Sequence, residues 1–216
     1  MKRVILYLHG KGGSAAEAER YRSLCPGYDV VGLDYRGTTP WDTAEELRSA
    51  CKDLRSRYDA VILLANSIGA YFAMNAGAAV DRAFLISPIV DMERLIRDMM
   101  TWAHVTEEEL RARGSIETDF GETLSWEYLR YVRAHPIHWT VPTAVLYGGR
   151  DHLTSLETVS RFAEQTGAVL TVMEQGEHWF HTPEQLAVLD RWLTDALEQD
   201  EKGPFTPQKQ GIFAEF

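Results

Sequence analysis

The chain has 216 residues, of which 45% are hydrophobic and 25% charged, and its formal net charge at pH 7 is −10. These values are typical of a single globular domain with a full apolar core. The negative charge argues against a nucleic acid or an anionic membrane as a partner, because both attract basic proteins. The two cysteines, Cys25 and Cys51, are too few for a disulfide framework and lack metal-ligand spacing. We therefore expect neither a metal nor another cofactor.

Apolar runs are short along the whole chain. The run at residues 3–8 is too short for a signal peptide and ends in a glycine-rich loop. No later run approaches the length of a membrane span. We therefore expect a cytoplasmic protein.

Six apolar runs predict strands, near residues 3–8, 29–34, 60–66, 83–87, 143–148 and 169–174. Their nearly continuous apolar character suits parallel strands that are covered on both faces. Between them, capping-box signals for helices begin at Ser14, Thr43, Thr154 and Thr182. This alternation predicts an α/β fold, with a doubly wound, mostly parallel sheet of about six strands in the order 2-1-3-4-5-6 and helices on both faces.

The alternation is interrupted once, by the 52 residues 89–140 between the fourth and fifth strands. An insertion of this length usually has structure of its own. Its pattern predicts three helices separated by one extended stretch: helices near 91–102, 106–113 and 125–134, and an extended stretch at 115–124.

The domain organisation follows from these boundaries. Residues 1–88 and 141–198 form the predicted core, residues 89–140 the insertion, and residues 199–216 a C-terminal extension. Several aromatic or aliphatic side chains of the extension are candidate anchors, namely Phe205, Ile212, Phe213 and Phe216.

The third predicted strand ends at a serine between small residues. Residues 61–70 place Ser67 between Ala65 and Gly69, with Ala70 one position further on. A strand that turns sharply into a helix exposes its turn residue above the sheet and requires small neighbours on both sides. The helix that follows also directs its first amides towards charge that develops near the serine. Ser67 is therefore a candidate nucleophile, although an incidental helix cap would have the same pattern.

Three other predicted strands lead into polar loops. The first strand is followed by the glycine-rich loop 9–14, whose amides can approach a bound carbonyl oxygen. The fifth strand leads to Asp151 and the sixth to His178. Since ligands of open α/β sheets bind at the carboxyl ends of the strands, we expect these groups to meet Ser67 there.

The order Ser67, Asp151, His178 and the contexts of these residues resemble the α/β-hydrolase superfamily, in particular its small serine esterases, over residues 3–198. The resemblance implies a serine nucleophile, a histidine general base and an aspartate that orients the histidine. It also implies that the insertion at 89–140 forms a cap over the active site.

The resemblance further implies an oxyanion hole made of backbone amides, those of Ile68 and of Lys11 or Gly12. Two positions depart from the usual pattern, where Ala65 replaces a glycine and Lys11 is charged. The Lys11 ammonium could meet an anionic group of the substrate or simply be a solvated surface charge.

Other residues compete for the same roles. His181 is a rival general base, although its position just before a helix favours a structural role. Asp34, after the second strand, and Glu177, beside the histidine, are rival acids. A metal site at His178 and His181 is disfavoured because no carboxylate motif accompanies them.

The predicted function is hydrolysis of a small carboxylic ester through an acyl-serine intermediate. A thioesterase or a small amide or peptide hydrolase would use the same residues, so these alternatives stay open. A non-catalytic binding protein of the same fold is a further alternative. Dehalogenase and thiol chemistry are excluded, because they need an aspartate or a cysteine at position 67.

Overall fold

A computed structural model of the protein describes residues 1–202 and 211–213, with side chains described through Gln199. The chain forms two compact units, one made of Met1–Val90 and His138–Phe216 and the other of Asp91–Ile137. In the part of the chain that the structure describes, no helix has the length and apolar character needed to cross a membrane.

The larger unit is built on one parallel sheet. Numbered along the whole chain, its strands are β1 (Arg3–Leu8), β2 (Tyr28–Leu33), β3 (Ala60–Asn66), β4 (Arg82–Ile86), β7 (Thr143–Gly148), β8 (Val169–Met173) and β9 (Gly211–Phe213). Their order is β2-β1-β3-β4-β7-β8-β9, and every neighbouring pair is parallel. The predicted fold class and the order of the six predicted strands are confirmed.

The strand β9 was not predicted. It belongs to the C-terminal extension and pairs with β8 over Thr171–Met173. Its three residues are too few to produce the alternation or the apolar run by which strands are recognised in a sequence. The candidate anchors Phe205 and Phe216 lie outside the described residues.

Helices separate the strands of the larger unit: a 3₁₀ helix (Ala15–Leu24), α1 (Pro40–Arg57), α2 (Ile68–Asn75), α6 (Leu156–Thr166) and α7 (Pro183–Lys202). Two predicted helix starts are wrong. Helix α1 is capped by Thr39 instead of Thr43, because Thr39 accepts the amide of Asp42 and a proline follows it. Helix α6 is capped by Ser155 instead of Thr154, since Ser155 Oγ accepts the amide of Thr158.

Both faces of the sheet are covered. On β1, Ile5 and Tyr7 point to one face and pack in a buried cluster with Trp192 and Leu193 of α7. Since side chains alternate along a strand, Val4, Leu6 and Leu8 point to the other face. Val4–Leu8 are all buried, so each face of this strand is shielded from water.

The smaller unit contains α3 (Met92–Trp102), α4 (Glu107–Arg113), β5 (Ser115–Glu117), β6 (Thr123–Ser125) and α5 (Trp126–Ala134). The helices lie close to their predicted positions, and the extended stretch is an antiparallel pair of strands. Apolar side chains from each helix and strand are buried, among them Leu95, Leu110, Ile116, Leu124 and Leu129. The role of this unit as a cap stays a prediction.

Candidate active site

Ser67 occupies a strained turn between β3 and α2. Its backbone has φ 51° and ψ −119°, a conformation that costs a residue other than glycine about 1–3 kcal/mol. Backbone hydrogen bonds hold it on both sides, since Ser67 N donates to Ile86 O at 3.0 Å and Ile89 N donates to Ser67 O at 3.2 Å. The adjoining strand β4 and the residues after it therefore fix the turn.

The two small residues of the turn differ in how much space they have. A Cβ added to Gly69 would lie 2.5 Å from the carbonyl oxygen of His9 and 3.0 Å from that of Leu8. No side chain fits at such distances from backbone atoms. Ala65, by contrast, is fully buried with its methyl group in place, so the turn tolerates this departure from the usual glycine.

Ser67, His178 and Asp151 form a continuous chain of hydrogen bonds. Ser67 Oγ lies 2.8 Å from His178 Nε2, and His178 Nδ1 lies 2.6 Å from Asp151 Oδ2. The Asp151 side chain is fully buried and the His178 side chain is 20% exposed. Because the ionised carboxylate can only accept, Nδ1 carries the proton and Nε2 is left to accept the serine hydroxyl.

The second oxygen of the Asp151 carboxylate is also bonded. Its Oδ1 accepts the amide of Leu153 at 2.7 Å and that of Thr154 at 3.1 Å. The Tyr147 hydroxyl in turn donates to Thr154 O at 2.7 Å. Burial and the nearby Asp151 charge raise the pKa of Tyr147 to about 12, so the hydroxyl stays a donor near neutral pH. The carboxylate is thus fixed in one orientation.

The loops that carry the acid and the base are joined through their backbones. Gly149 N donates to Met173 O at 2.8 Å, and Arg150 N donates to Gly176 O at 2.8 Å. A Cβ on Gly148 would lie 2.4 Å from Glu177 O, which leaves no room for a side chain. These contacts hold the two loops at a fixed separation.

The rival residues make other contacts. Asp34 Oδ1 is 3.4 Å from the Ala15 amide, and Glu177 Oε2 is 3.4 Å from Gln185 Nε2. His181 Nδ1 bonds to the carbonyl oxygen of Trp179 at 2.7 Å. Among the described residues, no group of three or more side chains could hold a metal ion.

The glycine-rich loop lies directly beside the serine. A Cβ on Gly10 would be 3.3 Å from Ser67 Cβ. Gly13 N donates to Gly10 O at 3.1 Å, which closes a turn in which Gly12 has φ +75°. Ile68 is the first residue of α2, where amides lack acceptors within the helix. The two segments that carry the amides proposed for the oxyanion hole, the glycine-rich loop and the first turn of α2, are therefore both next to Ser67.

Sequence reasoning missed the contact between His9, the first residue of this loop, and Tyr35. The Tyr35 hydroxyl donates to His9 O at 2.7 Å, and the two rings stack. The available signals were an aromatic residue two positions after β2 and a histidine directly after β1, and neither signal reveals a contact between the two residues.

A comparison with protein families adds to the fold and this geometry. The model of the family described as "Alpha/beta hydrolase family" matches residues 5–201. The chain belongs to the α/β-hydrolase family. A search of curated proteins finds no match.

Solved structures of several other proteins share the fold. Est1E from Butyrivibrio proteoclasticus has a TM-score of 0.74 at 16% identity, with 94% of this chain and 89% of Est1E covered. The alpha/beta hydrolase domain-containing protein 10 from mouse has a TM-score of 0.72 at 17% identity, with 91% and 90% covered. A thermophilic esterase from Thermogutta terrifontis, solved with propionate bound, has a TM-score of 0.62 at 20% identity, with 96% and 86% covered.

Proposed function

We propose that this protein is a serine hydrolase that cleaves a small carboxylic ester through an acyl-enzyme intermediate on Ser67. The observation that carries the proposal is the hydrogen-bonded chain from Ser67 Oγ through His178 to Asp151, with distances of 2.8 Å and 2.6 Å. A serine hydroxyl is a weak nucleophile at neutral pH, and such a chain supplies the base that activates it.

In the acylation step, Ser67 Oγ attacks the carbonyl carbon of the ester while His178 Nε2 takes the hydroxyl proton. The negative charge that forms on the carbonyl oxygen is stabilised by backbone amides, those of Ile68 and of Lys11 or Gly12. The bond from carbon to the alkoxy oxygen then breaks, and the protonated His178 donates its proton to the leaving alcohol.

Deacylation repeats the sequence with water. His178 Nε2 takes a proton from the water as its oxygen attacks the acyl carbon, and the protonated histidine returns it to Ser67 Oγ as the acid leaves. The Asp151 carboxylate stays ionised throughout and stabilises the imidazolium. Its burial, together with the two amides on Oδ1, suits a group that orients the histidine and does not itself accept the proton.

The solved structures with a similar fold support esters as the first substrates to test. Est1E has been solved with ferulic acid bound, and the Thermogutta terrifontis enzyme with propionate. We therefore propose a panel of p-nitrophenyl acetate, propionate and butyrate, together with methyl ferulate. Matched thioesters and p-nitroanilides extend the panel to the alternative leaving groups.

The test compares the wild type with Ser67→Ala and His178→Ala. We expect the wild type to hydrolyse at least one oxygen ester, and each variant to lose about 10⁴-fold or more in kcat/KM. Circular dichroism and thermal unfolding serve as controls for folding. Hydrolysis by well-folded Ser67→Ala at more than a tenth of the wild-type rate would contradict the mechanism.

A further inference from the structure

Tyr35, in the loop after β2, holds both the backbone and the ring of His9. The residue is 8% exposed, and its hydroxyl donates to His9 O at 2.7 Å. The two rings are stacked, with centroids 4.3 Å apart and planes within 3° of each other. Tyr35 therefore restrains two parts of one residue that lies directly after β1.

His9 in turn holds the glycine-rich loop. Its Nδ1 lies 2.8 Å from Gly10 O, and because a carbonyl oxygen can only accept, Nδ1 carries the proton in this contact. The same oxygen accepts the amide of Gly13 at 3.1 Å. His9 Nε2 is buried and has no partner among the described residues. Within the described part of the chain, the imidazole ring thus makes its hydrogen bond through Nδ1, to Gly10 O of the loop.

Fixing the carbonyl of Gly10 also fixes the next amide. A trans peptide unit is planar, so its C=O and N–H groups point in opposite directions, and no peptide bond of the described chain is cis. The orientation of Gly10 O therefore sets the direction of Lys11 N–H. That amide is one of the donors we propose for the oxyanion hole, and Gly10 lies against Ser67.

Tyr35 also contacts the helix that follows the serine. Its ring meets Phe72 of α2 edge to face, with centroids 5.6 Å apart at 87°. The pKa of Tyr35 is raised above its ordinary value by burial and by the charge of Glu17, so the hydroxyl remains a donor at neutral and mildly alkaline pH. The Tyr35 side chain thus connects three segments: the loop after β2, the glycine-rich loop, and helix α2, which follows Ser67.

We propose that Tyr35 and His9 are positioning residues that orient the oxyanion hole. This inference rests on the proposed function. Neither side chain touches a reacting atom, and both act through the Gly10–Lys11 peptide. Since an oxyanion forms only in the transition state, loosening this peptide lowers kcat and leaves substrate binding nearly unchanged.

The first test is Tyr35→Phe, which keeps the stacked ring and removes only the hydroxyl. We expect kcat to fall about tenfold, less than the 10²–10³-fold that follows outright loss of an oxyanion donor. KM should stay within about twofold. Phenylboronic acid, which forms a tetrahedral adduct with an activated serine, should bind the variant about tenfold more weakly, in parallel with kcat/KM.

Two variants of His9 separate its hydrogen bond from its ring. His9→Asn keeps an N–H donor at the same distance from Cβ as Nδ1, and His9→Phe keeps a ring but has no donor. We expect His9→Phe to lose more in kcat than His9→Asn. The reverse order would overturn the role of the bond to Gly10 O.

The matched control is Tyr58→Phe, which removes a hydroxyl bonded to Asp29 at 2.8 Å at the opposite edge of the sheet. Its kinetic constants should equal those of the wild type. If Tyr35→Phe lowers only the melting temperature, or raises KM alone, the inference is overturned while the proposed function stands. If the wild type hydrolyses no substrate of the panel, the proposed function fails and the inference fails with it.

Discussion

Two hydrogen bonds to carboxylates, one in each unit, have equal lengths but differ in their surroundings. His178 Nδ1 and Asp151 Oδ2 are 2.6 Å apart in the larger unit, and Arg133 Nη1 and Glu107 Oε1 are 2.6 Å apart in the smaller one. The side chains of the first pair are 20% and 0% exposed, and those of the second are 32% and 46% exposed. The two contacts therefore differ in the burial of their side chains and not in the distance between their atoms.

The difference has energetic consequences. An exposed pair gains little, because water and salt screen the attraction and two long side chains lose their freedom. A buried carboxylate that loses its partner stays desolvated, so the protein depends on every bond that the group makes. The larger unit should therefore be sensitive to single polar changes at its sheet edge, and the smaller unit tolerant of them.

The largest effect is expected for Asp151→Asn. An amide in place of the carboxylate favours the wrong tautomer of His178 and cannot stabilise the imidazolium, so kcat should fall about 10³–10⁴-fold. Steady-state kinetics on the best ester of the panel measure the loss. The control is Asp34→Asn, for which we expect less than about a threefold change, because hydrogen bonds of this kind at the surface contribute little. A greater loss with Asp34→Asn would assign the acid to the loop after β2.

A second prediction concerns the close approach at Gly69. The added methyl group of Gly69→Ala would meet two backbone oxygens that cannot move aside, so we expect destabilisation by about 3 kcal/mol and a large loss of activity. Urea unfolding measures the loss of stability, and ester hydrolysis measures the loss of activity. Gly167→Ala is the control, with φ +72° but no atom within 4 Å of the added Cβ, and it should cost about 1 kcal/mol and keep full activity. Equal stability of the two variants would refute this steric account.

A third prediction concerns the buried acids of the larger unit at alkaline pH. Burial raises the pKa of Tyr21 to about 12, that of Tyr147 to about 12 and that of Cys25 to about 12. A raised pKa means that the unfolded chain releases its protons first, near pH 9–10. The associated stability is complete below that range and is lost as the pH rises towards 12.

The midpoint of urea unfolding, measured from pH 8 to pH 12, tests this loss of stability. Tyr147→Phe should make the decline shallower, because one of the three groups no longer titrates. A midpoint that stays constant up to pH 12 would contradict the burial of these groups.

The smallest effect is expected for Glu107→Gln in the smaller unit. Arg133 keeps its bond to Glu93 at 2.9 Å, and the lost pair is exposed, so stability should fall by less than about 1 kcal/mol. The difference should shrink further in about 1 M salt, where the Debye length is near 3 Å. The control is Glu157→Gln, which removes an exposed pair with Arg161 on α6. It should lower stability by no more than Glu107→Gln does. A salt-independent loss would mean that the Glu107 pair behaves as a buried one.

The sequence was sufficient to predict those features that depend on residues close together in the chain. The steric demand around Ser67 involves residues within two positions of it, so the turn could be recognised from one short segment. The apolar strands and the polar residues after them predicted which side chains meet at one sheet edge. The structure brings Ser67, His178 and Asp151 into contact there.

The sequence was insufficient where the outcome depends on competition or on distance along the chain. Helix α1 is capped by Thr39, four residues before the predicted cap Thr43, and the proline after Thr39 favours the earlier start. The stack of Tyr35 on His9 joins two loops that are 26 residues apart, and no spacing rule relates them. Strand β9 is recognisable only through its pairing with β8.

The central claim is that Ser67 is activated by His178, and covalent labelling tests it most directly. The protein is incubated with a fluorophosphonate probe, which reacts with activated serines with loss of fluoride, and its intact mass is measured beside that of Ser67→Ala. We predict one adduct on the wild type, located at Ser67 by peptide mapping, and none on the variant. A folded wild-type protein without an adduct, or an equal adduct on Ser67→Ala, would contradict the account.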